Sequence, residues 1–223
     1  LKYGFNHRYH DSFIQANRII SSKKYGKLIN IRAVYGKSAI IPNTGGWRSK
    51  KSEAGGGILL DQGIHILDMI LFFMDDIDKI KSFVSNDYWK HDVEDNVYTL
   101  LKDKKNRVAI LHSTATEWQH KFRLELTLSE CLIELSGILS GSKSYGNEEF
   151  KLINKLQQNK NNPRINIKKR YLKDHSWKRE VDEFVQIVSQ NKRVENGNSK
   201  QAYKVMNIID KIYKADNDWI RKK

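Results

Sequence analysis

The segment Ala54–Phe73, AGGGILLDQGIHILDMILFF, contains the features on which the fold of this chain depends. Three consecutive glycines, Gly55–Gly57, permit backbone conformations and close approaches that a side chain would exclude. The run after them is apolar on nearly every side at helical spacing, which predicts a buried helix. Asp61, His65 and Asp68 follow one another at intervals of four and three residues, so they are predicted to share one face. Buried groups of this kind need partners, because an unpaired one costs several kcal/mol.

The pair Asp61 and His65 suits general acid–base chemistry. A carboxylate can fix the tautomer of an imidazole, and histidine titrates close to neutral pH. Taken alone, these residues fit equally well a polar seam that only locks the helix to its neighbours. A metal site formed by Asp61, His65 and Asp68 is less favoured than acid–base chemistry or a polar seam. It would need a second cluster of ligands, and the other six of the seven histidines form none at ligand spacing. The sequence therefore predicts no metal.

Length and cysteine content restrict the class of protein. The 223 residues allow one large domain or two small ones with an ample core. The chain starts at Leu1 rather than methionine and opens on a strand-like segment, which indicates a fragment of a longer protein. No signal peptide or membrane span is expected, since the longest apolar stretch, Ile58–Met74, is interrupted by ionisable residues. The single Cys131 favours the reducing cytoplasm.

The chain is strongly basic, with 40 Lys and Arg against 26 Asp and Glu and a formal net charge of +14. Nucleic acid is the first partner that such a charge suggests. The lysines are spread along the whole chain, however, and no zinc-finger, RNP or homeodomain pattern is present, so nucleic acid is not favoured. A solvated lysine surface, or a basic cleft for an anionic small molecule, fits as well. A basic scaffold or nucleic-acid-binding module remains the alternative to an enzyme.

The order of the predicted elements indicates the α+β class. A strand over Leu1–Phe5, a helix from Asp11 to about Ser22 and a strand over Leu28–Tyr35 precede the central helix. Strands that follow one another, rather than alternating with helices, favour antiparallel hairpins. Five such candidates come after the central helix: Ile80–Ser85, Asn96–Leu101, Arg107–Ser113, Phe122–Leu128 and Cys131–Ser136.

The last third of the chain is predicted to end in two helices. A strand over Phe150–Ile153 and a long polar loop over Gln157–Arg170 come first. One helix begins near Ser176 and the other runs from about Ser199 to Trp219. The earlier helix is predicted to bury one apolar face: Trp177, Val181, Phe184, Val185 and Val188. Neither G-x-G-x-x-G after a strand nor G-x-x-x-x-G-K-[ST] occurs, so the chain carries no nucleotide-binding fingerprint of its own.

Three stretches resemble the C-terminal domain of the Gfo/Idh/MocA oxidoreductases. This family is named after glucose–fructose oxidoreductase, inositol dehydrogenase and a protein of rhizopine catabolism. Gly4–Tyr9, GFNHRY, is similar to the G-F-x-x-R-[FY] that crosses from the Rossmann domain of that family. Gly46–Arg48, GWR, followed by Gly55–Asp68, resembles W-R … G-G-G-x-L-x-D-x-G-x-H-x-x-D. Val93–Asn96, VEDN, resembles the v-E-D that enters the open sheet.

The resemblance covers essentially the whole chain and implies a fold. That fold is an open, largely antiparallel sheet with helices packed on one face, the dihydrodipicolinate reductase-like C-terminal domain. It implies that residues 1–223 form a substrate-binding, catalytic and oligomerisation domain, with residues 1–9 crossing over from an N-terminal Rossmann domain that this sequence lacks. Because the open sheet face makes subunit contacts in the family, a homodimer or homotetramer is expected.

The resemblance also implies hydride transfer between NAD or NADP and a hydroxyl of a sugar, cyclitol or nucleotide sugar. Asp61 and His65 match the catalytic Asp and His of the family, which act with a lysine of an E-K-P motif in the Rossmann domain. The 223 residues alone are therefore expected to be inactive, since that lysine and the main cofactor surface lie elsewhere. The basic composition favours a nucleotide sugar over a free sugar. The candidate substrate-binding residues, each with packing or simple exposure as the alternative, are Asn6, His7, Trp47, Arg48 and Trp118.

Overall fold

The computed structural model describes residues 1–40, 46–154 and 165–221. The strands are β1 Leu28–Ser38, β2 Ile77–Ser85, β3 Asn96–Asp103, β4 Val108–Glu117, β5 Lys121–Leu128, β6 Cys131–Ser136, β7 Glu148–Asn154 and β8 Ile165–Tyr171. The helices are α1 Asp11–Ser21, α2 Lys51–Ala54, α3 Ile64–Phe73, α4 Ser176–Ser189, α5 Ser199–Lys214 and α6 Asn217–Arg221.

The eight strands form one sheet in the order β2-β3-β4-β1-β5-β6-β7-β8. Strand β1 runs parallel to β4, whereas the pairs β2–β3, β3–β4, β6–β7 and β7–β8 are antiparallel. This arrangement confirms the predicted α+β class with an open, largely antiparallel sheet. The chain divides into two compact units: the first is Leu1–Ile29 with Glu125–Met206, and the second is Asn30–Leu124 with Asn207–Lys223.

In the first unit, α1 packs beside β6 and β7 and buries its apolar side chains Phe13, Ala16 and Ile19. The helix begins next to the buried carboxylate of Glu148, whose Oε1 accepts a hydrogen bond from the backbone N–H of Ser12 at 2.7 Å. A carboxylate at this position satisfies a donor that the first turn of a helix leaves unpaired.

In the second unit, strand β3 alternates along its whole length between a buried face and a more exposed one, and β4 does so from Val108 to Ser113. The buried face supports α3, whose residues from Ile66 to Ile70 are all almost completely enclosed. The C-terminal end of α3 is fixed by Arg107, whose Nη1 donates a hydrogen bond to the carbonyl oxygen of Phe73 at 3.1 Å. The central helix is therefore held at its C-terminus by the turn between β3 and β4.

Two predicted boundaries near the chain ends differ in the structure. The strand expected over Leu1–Phe5 is reduced to one isolated bridge between Lys2 and Asn198. The helix expected to continue to Trp219 ends at Lys214, because Asp216 caps a new helix by accepting the backbone N–H of Trp219 at 3.1 Å.

The loop predicted over Gln157–Arg170 is wrong in its second half. Residues 157–164 lie outside the described part of the chain, and Ile165–Tyr171 forms β8, paired antiparallel with β7. The segment is rich in lysine and arginine because it forms the edge of the sheet, where charged side chains prevent further strand addition.

The predicted buried face of α4 is also wrong. All five apolar residues named for it are exposed, and the exposed fraction of Trp177 is 62%. The 3.6-residue pattern was sufficient to predict the helix and its apolar face, but no described element of the first unit covers that face.

Among the described residues, Lys51–Phe73 has the length and composition to cross a membrane, with a mean hydropathy of 1.4. In the structure 61% of its apolar window is buried within the protein, as in the core helix of a globular domain. The segment is also interrupted, since α2 ends at Gly55 in a left-handed conformation with φ of 78°. Composition alone is therefore weak evidence for a membrane span here.

Candidate active site

The start of the central helix is held by the buried carboxylate of Glu94. Its Oε2 accepts the backbone N–H of Gly57 at 2.8 Å, and its Oε1 accepts both the N–H of Leu59 at 3.0 Å and the hydroxyl of Tyr213 at 2.8 Å. Burial raises the pKa of Glu94, while these three donors act in the opposite direction. Burial together with the negative charge of Glu94 raises the pKa of Tyr213 as well.

This close packing requires two glycines of the triplet, Gly56 and Gly57. A Cβ on Gly57 would collide with the carbonyl oxygen of Glu94, and a Cβ on Gly56 would lie 2.5 Å from the hydroxyl oxygen of Tyr213. Glycine at both positions therefore allows the helix to begin directly against the segment that precedes β3. Further along, a Cβ on Gly63 would lie 2.6 Å from Oγ of Ser113, so this glycine allows close packing on β4.

The residues Leu59–Gly63 form a π-helical turn that leads into α3. A π-turn is wider than an α-turn and is frequent at functional sites. Asp61 lies within it and is exposed, whereas His65, in the first turn of α3, is half-buried. Asp68, which was predicted to share their face, is only 1% exposed, because α3 has by then entered the core.

Asp61 and His65 line an open cavity of about 290 Å³ together with Trp47 and Arg48. The guanidinium of Arg48 lies 4.3 Å from the centroid of the Trp47 ring, and its Nε donates to Oδ1 of Asp61 at 3.4 Å. This solvent-exposed pair orients Asp61 more than it stabilises the fold. The structure thus brings together four of the residues that were predicted for the site.

A second wall of the cavity was missed by the sequence analysis. It is formed by Trp89 and His91, whose rings lie parallel at a centroid distance of 6.3 Å. The indole N–H of Trp89 donates to the carbonyl oxygen of Ala115 at 2.9 Å, and its backbone N–H donates to Oδ2 of Asp95 at 3.0 Å. An aromatic residue and a histidine just before the v-E-D stretch were the available signal. Lys37 of β1 also lines the cavity and was likewise missed.

The remaining predicted substrate residues lie elsewhere. Trp118 follows β4, does not line this cavity, and has an exposed fraction of 74%. Asn6 and His7 belong to the first unit, where both are buried. Oδ1 of Asn6 lies 3.0 Å from Nδ1 of His7, and its Nδ2 donates to Oγ of Ser176 at 3.5 Å. Substrate binding by these three residues stays a prediction.

No group of three or more His, Cys, Asp or Glu side chains in the described part of the chain is arranged to hold a metal ion. The cavity is near the lower end of the size range of small-molecule sites, roughly 300–1,000 Å³. It has room for one sugar-sized ring beside Asp61 and His65.

A family model for the GFO/IDH/MocA C-terminal domain matches residues 13–134, more than half of the chain and all of the central segment. This chain belongs to the GFO/IDH/MocA family.

Solved structures with the same fold include several oxidoreductases. Levoglucosan dehydrogenase in complex with NADH and L-sorbose is 17% identical with a TM-score of 0.79, and the match covers 96% of this chain and 63% of that one. Aldose-aldose oxidoreductase from Caulobacter crescentus, complexed with glycerol, is 18% identical with a TM-score of 0.76, covering 96% and 61%. KijD10, a 3-ketoreductase from Actinomadura kijaniata in complex with NADP and TDP-benzene, is 15% identical with a TM-score of 0.77, covering 96% and 62%. At sequence identities of 15–18%, the structural similarity shows that these proteins share the fold. This GFO/IDH/MocA chain spans less than two thirds of the length of each of them.

Proposed function

We propose that the full-length protein is an NAD(P)-dependent oxidoreductase acting on a hydroxyl of a sugar, cyclitol or nucleotide sugar. One observation carries the proposal: the family's catalytic pair, Asp61 and His65, lines an open cavity beside Trp47 and Arg48. A group that exchanges a proton with a substrate must be reachable by that substrate, and this cavity meets the requirement. Family membership, and relatives of the same fold in complex with NADH or NADP, support the same class of reaction.

In the oxidative direction His65 takes the proton of the substrate hydroxyl, and in the reductive direction it returns that proton to the carbonyl oxygen. Bound NAD(P) supplies the hydride acceptor or donor. Asp61, held by Arg48, stabilises the imidazolium that forms when His65 takes the proton, and so favours the transfer. Trp47 provides a flat wall on which the substrate ring can rest.

The dinucleotide itself requires more protein than these residues provide. The cavity accommodates only the reacting ring. A pyrophosphate is usually bound by a glycine-rich turn after a strand, and the residues that the structure describes include no such turn. We therefore propose that residues 1–223 are the C-terminal substrate-binding and catalytic domain, inactive alone. A preceding Rossmann domain, from which residues 1–9 cross over, would bind most of the cofactor.

The exposed apolar face of α4 supports a further domain. Val181 and Phe184 of this face line a shallow surface pocket with Lys2, Tyr3 and Gly4 at the start of the chain. Exposed apolar surfaces of this kind mark protein contacts, and this one adjoins the segment through which the preceding domain would be connected.

The outer face of β2, β3 and β4 supports self-association. Phe83 lies opposite Tyr98 and Leu100 opposite Ile110, and all four are exposed, Phe83 at 76%. A cross-strand apolar patch is unusual on a monomer. We propose a homodimer or homotetramer that forms through this face. The protein would act in the cytoplasm, in keeping with the buried thiol of Cys131.

Substituting His65 in the full-length protein tests the proposal. His65→Ala should lower kcat by ~10²–10⁴-fold, because a general acid–base group is lost, and should leave NAD(P) affinity nearly unchanged. His120→Ala, a histidine of the same unit that does not line the cavity, is the matched control and should retain activity. Normal turnover of His65→Ala with a lowered Tm would contradict the catalytic role. Salt-dependent DNA binding without dehydrogenase activity would favour the basic-module alternative.

A further inference from the structure

The cavity contains one cation that the proposed proton transfer does not use. Lys37 is the second-last residue of β1, half-buried, and lines the same cavity as His65. The register between β1 and β4 shifts between Gly36 and Ser38, on either side of Lys37. An irregularity of this kind re-aims a side chain at the end of a strand and is frequent next to active sites.

The charge of Lys37 lacks the compensation that the other ionised groups of the cavity have. Arg48 faces Asp61, and the carboxylate of Asp95 accepts two backbone N–H groups. Among the residues that the structure describes, no carboxylate lies within ion-pair distance of Lys37. Burial lowers the pKa of His120, and the nearby positive charge of Lys37 lowers that pKa further. A half-buried ammonium of this kind favours an anion that arrives with the ligand.

The neighbouring wall determines which kind of ligand can carry that anion. Trp89 lines the cavity and is held in place by its hydrogen bonds to Ala115 and Asp95. A flat aromatic surface suits the C–H face of a sugar ring, and a lysine ammonium suits a phosphate or a carboxylate. We propose that Lys37 determines specificity by binding an anionic group of the sugar substrate, an inference that rests on the proposed function.

The test compares one neutral and three anionic probes on the full-length protein: glucose, glucose 6-phosphate, UDP-glucose and glucuronate. Binding is followed by quenching of tryptophan fluorescence, since Trp47 and Trp89 line the cavity, and turnover is followed separately. Lys37→Gln should raise the Kd of the preferred anionic probe about ten- to hundredfold, the range for one hydrogen bond to a charged group, and change the Kd of glucose less than twofold. Lys37→Arg should retain most of the affinity.

Lys104→Gln is the matched control, because it removes the same charge from an exposed turn outside the cavity. If Lys37→Gln raises the Kd of glucose 6-phosphate or UDP-glucose, the anionic group that Lys37 binds is a phosphate. If it raises the Kd of glucuronate, that group is a carboxylate. Equal binding of all four probes by wild type and Lys37→Gln overturns the inference while leaving the proposed function intact. Wild-type turnover of glucose in preference to every anionic probe overturns it in the same way. Absence of any sugar turnover by the wild type counts against the proposed function, and the fluorescence titration then still decides the role of Lys37.

Discussion

The carboxylate of Glu94 offers the sharpest test of how the site is held together. In Glu94→Gln the side chain keeps its shape, but one of its two acceptor atoms becomes an N–H₂ donor. If the amide oxygen takes the place of Oε1, the bonds from Leu59 and Tyr213 survive, and the amide nitrogen then faces the N–H of Gly57. All three donors then lose a charged acceptor, and two buried donors, the N–H of Gly57 and the new amide N–H, are left without an acceptor. We expect a destabilisation of about 2–3 kcal/mol.

Two companion variants set the scale for this effect. Tyr213→Phe removes a single donor and keeps the buried ring, so it should cost about 1.5 kcal/mol. Glu94→Ala removes the acceptor for all three donors and should cost about 3–5 kcal/mol, as for breaking a buried charged network. Tyr203→Phe is the control, since this tyrosine of the same helix is exposed, and its effect should stay within about 0.5 kcal/mol.

Urea unfolding, analysed by linear extrapolation with a common slope, measures these differences. The kcat of the full-length enzyme measures whether the displaced helix start also misplaces Asp61 and His65. The expected order of destabilisation is Glu94→Ala, then Glu94→Gln, then Tyr213→Phe. If Glu94→Gln unfolds at the wild-type urea concentration, the carboxylate is not what holds the helix, and the reasoning fails.

Three further outcomes are expected. Phe83→Glu, which places a charge in the exposed sheet face, should shift the protein toward monomer in light scattering; an unchanged mass would place the subunit contact elsewhere. Burial acts to raise the pKa of Asp103, but its hydrogen bonds with Arg107 hold that pKa below the ordinary value of 3.8. Its contribution to the free energy of unfolding is therefore present above pH 3.8 and lost as pH falls through the lowered pKa, and urea titrations should show no such loss in Asp103→Asn. Gly57→Ala should destabilise the fold by roughly 1–3 kcal/mol, because the added methyl meets the backbone of Glu94; a wild-type urea midpoint for this variant would contradict that packing.

The sequence by itself determined the parts of this protein that depend on local pattern. The glycine triplet and the apolar run predicted the buried helix, and strands in uninterrupted succession predicted the α+β sheet. Asp61 and His65 were predicted as a candidate pair because they lie four residues apart in the predicted helix. Trp47 and Arg48 were identified through the family motif, and the close spacing of the two motifs along the chain agrees with their meeting in one cavity.

Only the tertiary structure decided what else meets those residues. Lys37 and Trp89 are 52 residues apart in the chain (89 minus 37), and they come together because strand order and register bring their segments to one cavity. Asp68 matches the helical spacing but is enclosed, since burial depends on what packs around α3 and not on its sequence alone. The apolar face of α4 was evident from periodicity, yet its exposure was not. Periodicity specifies which residues share a face, whereas long-range packing alone specifies what covers that face.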